Sequence, residues 1–440
     1  MRYTFKGGTH VREYKNTRHA AIEQMLAPAT VTIPLSQHIG APATAVVKKG
    51  DHVDCGQVIG VVEQGLGCPV HASVSGTVKE IKSLQTPMGA TVTAVVIEND
   101  GLNTVDASLC PFSKPLEQTS PEEIVELVRV AGISGMGGAT FPTYAKLKSA
   151  IGRADTLIIN CAECEPFITA NHRMMLEHPE QILGGVKILM HALGLESAYI
   201  GVEDNKPDAI EVLRANATPE ISVCALKTKY PQGDERQLIY ALTKKELPAG
   251  KLPADVGCVI FNAETAAAVW HAFYEGKPLY QRVVTVDGDC VARPANVMVP
   301  IGTSCRDLLE HCGGLTARPD RIVHGGPMMG FAAFDINAPI TKGSSAILVL
   351  SRRFAEKGKT GLEPSCIRCG RCVANCPMHL MPNMLVTLSM ARRYDEAAGQ
   401  NVMSCVECGT CVYNCPGGMP IVQYVRVAKA HLRAKAAQKK

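Results

Sequence analysis

The sequence predicts a multidomain α/β protein that ends in a helical, cysteine-rich domain, and three observations predict it. The chain has 440 residues, more than one hydrophobic core accommodates. Strand-like and helix-like stretches alternate from about residue 116 to 275, the pattern of a largely parallel sheet covered by helices. Two evenly spaced cysteine runs lie near the C-terminus, separated by roughly 28 residues that include the helical stretch LVTLSMARRYDEAA.

Composition narrows the function. The chain is 46% hydrophobic and 20% charged, ordinary for a globular protein. A net charge of +4, a single Trp and no basic stripe interleaved with aromatic residues argue against nucleic acid as a partner. No apolar run approaches the roughly 18–20 residues that cross a bilayer. The N-terminal MRYTFKGGTHVREYKN lacks the apolar core of a signal peptide, so a cytoplasmic location is expected. Disulfides are rare in a reducing compartment, and 18 cysteines therefore point to metal.

Residues 1–115 are expected to form one β-rich domain. ATAVVKKGDHVDCGQVIGVVE and VHASVSGTVKEIK each combine a Gly turn with alternating Val positions, as in a small barrel or sandwich of hairpins. The pattern resembles biotinyl and lipoyl carrier domains, but no lysine stands where those carriers are modified, and a structural or docking role is expected. Residues 116–277 read as the α/β domain. Ser120-Pro121-Glu122-Glu123 starts a helix, with Ser as N-cap and Pro at the first helical position. Strands are expected at 156–160, 197–203 and 221–226, with helices between them.

Residues 278–350 return to β character, with RVVTVDGD, VMVPIG and a short helix from Thr303 suggesting a compact ββα unit. AILVL at 346–350 reads as a buried strand. A charged stretch, SRRFAEKGKTGLEPS, links to the final domain at 351–440. The last twenty residues carry Lys and Arg but no acid. They read as a solvated helix or as a basic face for an acidic partner or lipid.

The cysteines carry the chemistry. Cys366-x2-Cys369-x2-Cys372-x3-Cys376-Pro377 is followed by Cys405-x2-Cys408-x2-Cys411-x3-Cys415-Pro416. Two-residue gaps let three thiolates wrap one [4Fe–4S] cube, while the fourth cysteine of each run ligates the other cluster. Cys366, Cys369, Cys372 and Cys415 are thus expected at one cluster, and Cys376, Cys405, Cys408 and Cys411 at the other. Zinc would give no reason for the third cysteine of each run or for the terminal Cys-Pro. Cys161 and Cys164 form a C-x2-C without a second pair. They, and Cys55, Cys68, Cys110, Cys224, Cys258, Cys290, Cys305 and Cys312, are read as non-ligands, the last eight as small buried hydrophobes.

A glycine-rich loop, Gly132-Ile-Ser-Gly135-Met-Gly137-Gly138-Ala139-Thr140-Phe141-Pro142, is the second feature. It follows a helix rather than a strand, and Thr140 stands where the last Gly of a dinucleotide fingerprint belongs. Its backbone N–H groups can still face a phosphate or a flat ring, with Lys146 just downstream. Three polar segments follow strands: Asn160-Cys-Ala-Glu163-Cys-Glu165-Pro166, Tyr230-Pro-Gln-Gly233-Asp234-Glu235 and Phe261-Asn262-Ala263-Glu264-Thr265. Ligands of open α/β sheets sit past the carboxyl ends of strands, so convergence of these segments with the loop favours a bound cofactor.

The order GMGGATFP, NCAECEP, YPQGDE and NAET is similar to the FMN- and NADH-binding flavoprotein subunit of respiratory complex I. With FKGGTH at 5–10, IPLSQHIGAPA at 33–43, GGPMMG at 325–330 and the paired cysteine runs, the whole chain resembles the C subunit of Rnf complexes. The resemblance implies a barrel-sandwich hybrid domain, a Rossmann-like flavin domain, a β-grasp SLBB domain and a helical dicluster ferredoxin domain. It implies that Gly135, Gly137, Gly138, Ala139 and Lys146 line the FMN phosphate and ring. Asn160, Glu163, Tyr230, Asp234, Glu235, Asn262 and Thr265 would complete the pocket, and Phe141 and Glu165 would help hold NAD(H). Ala162 and Phe261 depart from the complex I pattern, which has an acid and an Asn there, and imply the loss of a flavin hydrogen bond at each.

The function so implied is hydride exchange between NAD(H) and FMN, joined to one-electron transfer through two [4Fe–4S] clusters. The partners would be other subunits of a membrane electron-transport complex, including an iron–sulfur subunit. The chain would be peripheral on the cytoplasmic face of an ion-translocating ferredoxin:NAD oxidoreductase. A soluble cobalamin reductase is the alternative of similar composition. An iron–sulfur relay scaffold without flavin is the alternative of a different class.

Overall fold

A computed structural model describes residues 3–87, 89–355 and 364–438. The α/β domain is built on a four-stranded, all-parallel sheet in the order Ile221–Leu226, Ala198–Glu203, Thr156–Cys161, Cys258–Asn262. Three of its strands, Ala198–Glu203, Thr156–Cys161 and Cys258–Asn262, are largely buried on both faces, as their apolar runs require, while Ser222 on the edge strand is exposed. Leu157 and Ile159 join the core beneath helices Pro179–Leu193 and Ala263–Glu275, while Ile158 and Ile260 pack under helix Glu235–Thr243. The two large helices approach closely because Gly185 faces Ala266: a methyl group there would lie 1.9 Å from its carbonyl oxygen. Helix Pro121–Val130 begins with Ser120 as the expected N-cap, and Glu123 completes a capping box with it, the Ser120 hydroxyl accepting from the Glu123 N–H at 3.2 Å.

The chain runs through three strands on one side of the sheet, from Thr156–Cys161 outward, then crosses to place Cys258–Asn262 on the other. The strand order therefore reverses between those two neighbours. Asn160 and Asn262 lie in register at the carboxyl ends of the pair, at the crevice where such sheets bind ligands.

The β-grasp region is wider than the expected ββα unit. Its sheet has six strands, in the order Ile22–Gln24, Ala295–Pro300, Gln281–Asp287, Ala346–Leu350, Arg321–His324, Phe331–Ala333. The edge strand comes from the N-terminal segment, pairing in parallel with Ala295–Pro300. Its helix, Cys305–His311, is capped by Ser304. The barrel itself is formed by two sheets between Thr30 and Asn99, and the strand Ile22–Gln24 ahead of it joins the β-grasp sheet. At a hairpin tip of the barrel Leu66 accepts a hydrogen bond from the Ala41 N–H at 2.8 Å. Gly40, at φ +124°, allows that approach.

The C-terminal domain is helical. The expected helix LVTLSMARRYDEAA is two helices, Pro382–Met390 and Tyr394–Gly399, divided where Arg392 takes a positive φ of 56°. The charged linker of 351–365 is described only at its ends, since 356–363 lie outside the described residues, as do Lys439 and Lys440 at the tail. Helix Ile421–Ala437 corrects the reading of a merely solvated basic helix. Ile421, Val422, Val425 and Ala428 are buried, and Lys429 donates to the Cys405 carbonyl at 2.9 Å and to Glu407 at 2.5 Å. Cys110 is exposed, against the expectation of a buried hydrophobe. It follows the barrel, in a stretch without regular structure.

Candidate functional site

The two cysteine runs fold as a repeat. Arg368 and Glu407, inside the first gaps, both have φ 57°, and Gly370 and Gly409 follow at φ 74° and 80°. Each glycine opens a four-residue helix, Arg371–Ala374 or Thr410–Tyr413. Left-handed residues turn amide N–H groups toward the sulfurs, and the Glu407 N–H lies 3.4 Å from Cys405 Sγ. Cys376, the last cysteine of the first run, lines one cavity with Cys405, Cys408 and Cys411 of the second. Leu380, Leu385, Ile421 and Val425 close the same cavity with apolar surface.

Burial pushes the Cys405 thiol up to about 11, and the neighbouring Cys408 and Cys376 add to it. Thiols so raised must give up their protons to ligate a metal. Cys372 is likewise raised by burial and, more weakly, by nearby Cys415. Cys366 and Cys369 are exposed. Among the described residues no three His, Cys, Asp or Glu converge as a single metal ion would require. Cys376, Cys405, Cys408 and Cys411 line a shared cavity, a donor set that fits a four-iron cube.

At the crevice of the parallel sheet, the glycine-rich loop folds back on itself, the Gly135 N–H donating to the Phe141 carbonyl at 2.9 Å. The Met136 N–H donates to Thr265 Oγ1 at 3.1 Å, which seats the loop on the helix that follows Asn262. A methyl group on Gly137 would meet Asn262 Cβ at 3.0 Å, while one on Gly138 would meet nothing within 4 Å. Gly137, Gly138 and Ala139 are exposed, so bare backbone faces outward there, as a phosphate or a ring requires. Lys146, on helix Thr143–Ala150, pairs with Glu235 at 2.6 Å and lies 5.8 Å from the Phe261 ring centroid. Phe261 thus supports the lysine instead of offering a hydrogen bond.

The other expected residues divide. Asn262 caps its helix, accepting from the Glu264 N–H at 2.9 Å, and donates to Asn171 Oδ1 at 2.6 Å. Asn160 donates to the Gly233 carbonyl at 2.8 Å and ties the first polar segment to the second. Asp234 caps helix Glu235–Thr243, and burial raises its pKa. Glu163 accepts from the Asn171 N–H at 2.6 Å and the His172 N–H at 3.2 Å. Glu165 sits under the GGPMMG turn, accepting from Met328 and Met329 at 3.1 and 2.9 Å. Burial pushes its pKa up to about 7. Phe141 is partly exposed at the crevice mouth.

Tyr230 links the two sites: its hydroxyl donates to the Cys408 carbonyl at 2.7 Å and lies 3.5 Å from Glu165. Gln237 adds a second link, donating to the Pro377 carbonyl at 3.2 Å.

Several residues here had no signal in the sequence. Lys15 is buried and donates to the carbonyls of Glu163, Glu165 and Ile168 at 2.8, 2.9 and 2.5 Å. Lys206 donates to the Ala162 carbonyl at 2.7 Å. Two ammonium groups therefore hold the acidic loop by its backbone. Glu264, read as part of a helix start, forms a buried pair with Arg282 at 2.5 Å across the domain boundary. Removing one partner of such a pair costs about 3–5 kcal/mol. A lone lysine in a polar N-terminal stretch carries no spacing that would reveal such a role.

Comparison with known families agrees with this architecture. Four family models match in order: the RnfC barrel sandwich hybrid domain at 3–102, the Nuo51 FMN-binding domain at 128–271, the SLBB domain at 283–332 and the 4Fe-4S dicluster domain at 365–419. The fold and its two sites thus define an electron-transfer protein that joins an FMN-binding domain to an iron–sulfur domain.

The chain belongs to the RnfC family, the C subunits of ion-translocating ferredoxin:NAD(+) oxidoreductase complexes. It is 45% identical to the C subunit of the proton-translocating complex of Clostridium ljungdahlii, over 100% of this chain and 96% of that one. It is 43% identical to the C subunit of the Na(+)-translocating complex of Acetobacterium woodii, over 98% and 97%. The Rhodobacter capsulatus protein of the same family is 42% identical over 99% of this chain and 85% of its own length. Among solved structures, a chain of an NAD+-reducing [NiFe]-hydrogenase superposes with a TM-score of 0.53 at 20% identity, over 73% of this chain and 63% of that one. That likeness is one of fold. No helix among the described residues is long and apolar enough to cross a membrane.

Proposed function

We propose that the chain exchanges electrons between NAD(H) and two [4Fe–4S] clusters by way of FMN, as a peripheral component on the cytoplasmic side of a membrane complex. When bound, FMN would supply the conversion between the electron pair of nicotinamide and the single electrons a cube accepts. The chain's own residues supply position and charge. Gly135, Gly137, Gly138 and Ala139 present backbone to the cofactor, and Lys146 brings a cation to its phosphate. Asn160, Asn262 and Thr265 hold the carboxyl ends of the strands and the loop in one arrangement.

Cys376, Cys405, Cys408 and Cys411 would hold the cluster beside Tyr230, and Cys366, Cys369, Cys372 and Cys415 the more exposed one. That exposure suits passage of electrons to another iron–sulfur protein of the complex. The observation that carries the reading is the cavity shared by Cys376 and the second cysteine run, joined to the crevice through Tyr230 and Cys408.

The test is reconstitution of the full chain with iron, sulfide and FMN under anaerobic conditions, followed by NADH-driven reduction of an artificial acceptor. Flavin uptake with NADH-dependent bleaching of flavin and clusters is expected. Intact clusters without flavin uptake or activity would leave an iron–sulfur scaffold instead.

A further inference from the structure

Beyond Lys15, the N-terminal arm enters none of the roles above, yet it reaches both sites. Gly8 N–H donates to the Asn375 carbonyl at 2.9 Å, and Thr9 Oγ1 donates to Asn414 Oδ1 at 3.3 Å. Asn375 and Asn414 occupy equivalent places in the repeat, each immediately before the cysteine that crosses to the other cluster. The same Thr9 exchanges two backbone hydrogen bonds with Tyr230, both at 2.8 Å.

Space there admits only glycine. Gly7 and Gly8 have φ +77° and +75°. A methyl group on Gly7 would fall 2.7 Å from the Cys376 carbonyl oxygen, and one on Gly8 would fall 2.6 Å from that of Tyr230. Further along, Lys15 is fixed on the loop that carries Glu163 and Glu165. Thr17 is buried with its hydroxyl 2.5 Å from that of Thr169. The arm is thus pinned at both ends, on the cluster domain and on the α/β domain.

We infer that residues 7–15 are a positioning strap, which sets the seat of the Cys376/405/408/411 cluster against the flavin crevice through Gly7, Gly8 and Thr9. The inference rests on the electron path proposed above, but its geometry concerns this chain's own residues. A free arm would leave Asn375 and Asn414 without these partners, and Tyr230 would lose the strand-like pairing that aims its hydroxyl at Cys408. Small displacements of this kind are costly wherever reacting groups must be held in register.

The experiment uses the full chain reconstituted with iron, sulfide and FMN, with Gly7→Ala, Thr9→Val and Thr9→Ser compared against the parent. Three properties are read: iron content, the EPR spectrum of dithionite-reduced clusters, and the rates of flavin and cluster bleaching by NADH. For Gly7→Ala, flavin bleaching should keep its rate, while cluster bleaching slows about tenfold or more and the EPR signal of one cluster shifts. Thr9→Val should show the same split more weakly, and Thr9→Ser should restore it.

Wild-type EPR spectra and wild-type cluster rates in both Gly7→Ala and Thr9→Val would overturn the strap. Should Gly7→Ala fail to assemble clusters, Thr9→Val decides. Should the parent take up no flavin, the proposed function fails while the EPR comparison still decides the strap: an altered cluster signal in the variants supports it, and an unchanged one refutes it.

Discussion

The hydroxyl of Tyr230 donates to the main-chain carbonyl of Cys408 at 2.7 Å. One residue comes from the α/β domain and the other from the second cysteine run, so this bond fixes the distance between the flavin crevice and the nearer cluster site. Tyr230 is buried, and burial raises its pKa well above the ordinary value, so the hydroxyl remains a donor at any working pH. Tyr230→Phe deletes the donor and leaves a buried carbonyl with one partner fewer. The expected cost is about 1 kcal/mol of stability, measured by urea unfolding, with an altered EPR signal from the cluster of Cys408. An unchanged spectrum would show that the bond does not position the cysteine loop.

Lys146 and Glu235 form a pair that is 30% and 38% exposed in its side chains. A pair so placed contributes less than about 1 kcal/mol to folding, so any larger effect of Lys146 must be on the ligand. Lys146→Ala is expected to weaken FMN binding about tenfold or more, read by quenching of flavin fluorescence, with little change in unfolding midpoint. A large loss of stability with normal affinity would reverse that assignment.

Glu165 gives a pH dependence with a definite sign. Its pKa rises on folding from 4.5 to about 7, chiefly through burial. A carboxyl raised in this way binds its proton more tightly in the folded chain. Its contribution is full below about 4.5 and is lost as the pH rises through about 7. Between about pH 5 and about pH 8 the urea midpoint of the cofactor-free chain should therefore fall more for the parent than for Glu165→Gln. Equal falls would contradict the buried setting under the Met328–Met329 turn.

The crossing of ligands between runs is testable by single substitutions. Cys415 lies in the second run, but the proposal gives it to the cluster of Cys366, Cys369 and Cys372. Cys415→Ser should lose or shift the EPR signal of that more exposed cluster and spare the one lined by Cys376, Cys405, Cys408 and Cys411. The converse result would mean that each run ligates its own cluster.

Much of this was legible in the sequence because local rules decided it. The N-cap at Ser120, the buried strands of the parallel sheet and the repeated cysteine spacing each follow from residues near one another in the chain. What escaped was set by long-range contacts. The strand Ile22–Gln24 belongs to the β-grasp sheet only because Ala295–Pro300 offers an open edge. The carboxylate partners of Glu163 and Glu165, backbone N–H groups of helix Ala170–Glu177 and of the GGPMMG turn, come from other segments of the chain. Lys15 is 148 residues from Glu163 in sequence, and nothing around either residue announces the other. The helical break at Arg392 was also hidden, since LVTLSMARRYDEAA has helical residues throughout.

The metal content of the anaerobically reconstituted full chain, by elemental analysis together with EPR of the reduced protein, tests the electron-carrier assignment most directly. About eight irons and about eight labile sulfides per chain are expected, with the signals of two interacting cubes. Zinc at the cysteine runs, or iron without labile sulfide, would contradict the assignment and leave the neighbouring crevice with no electron acceptor in the chain.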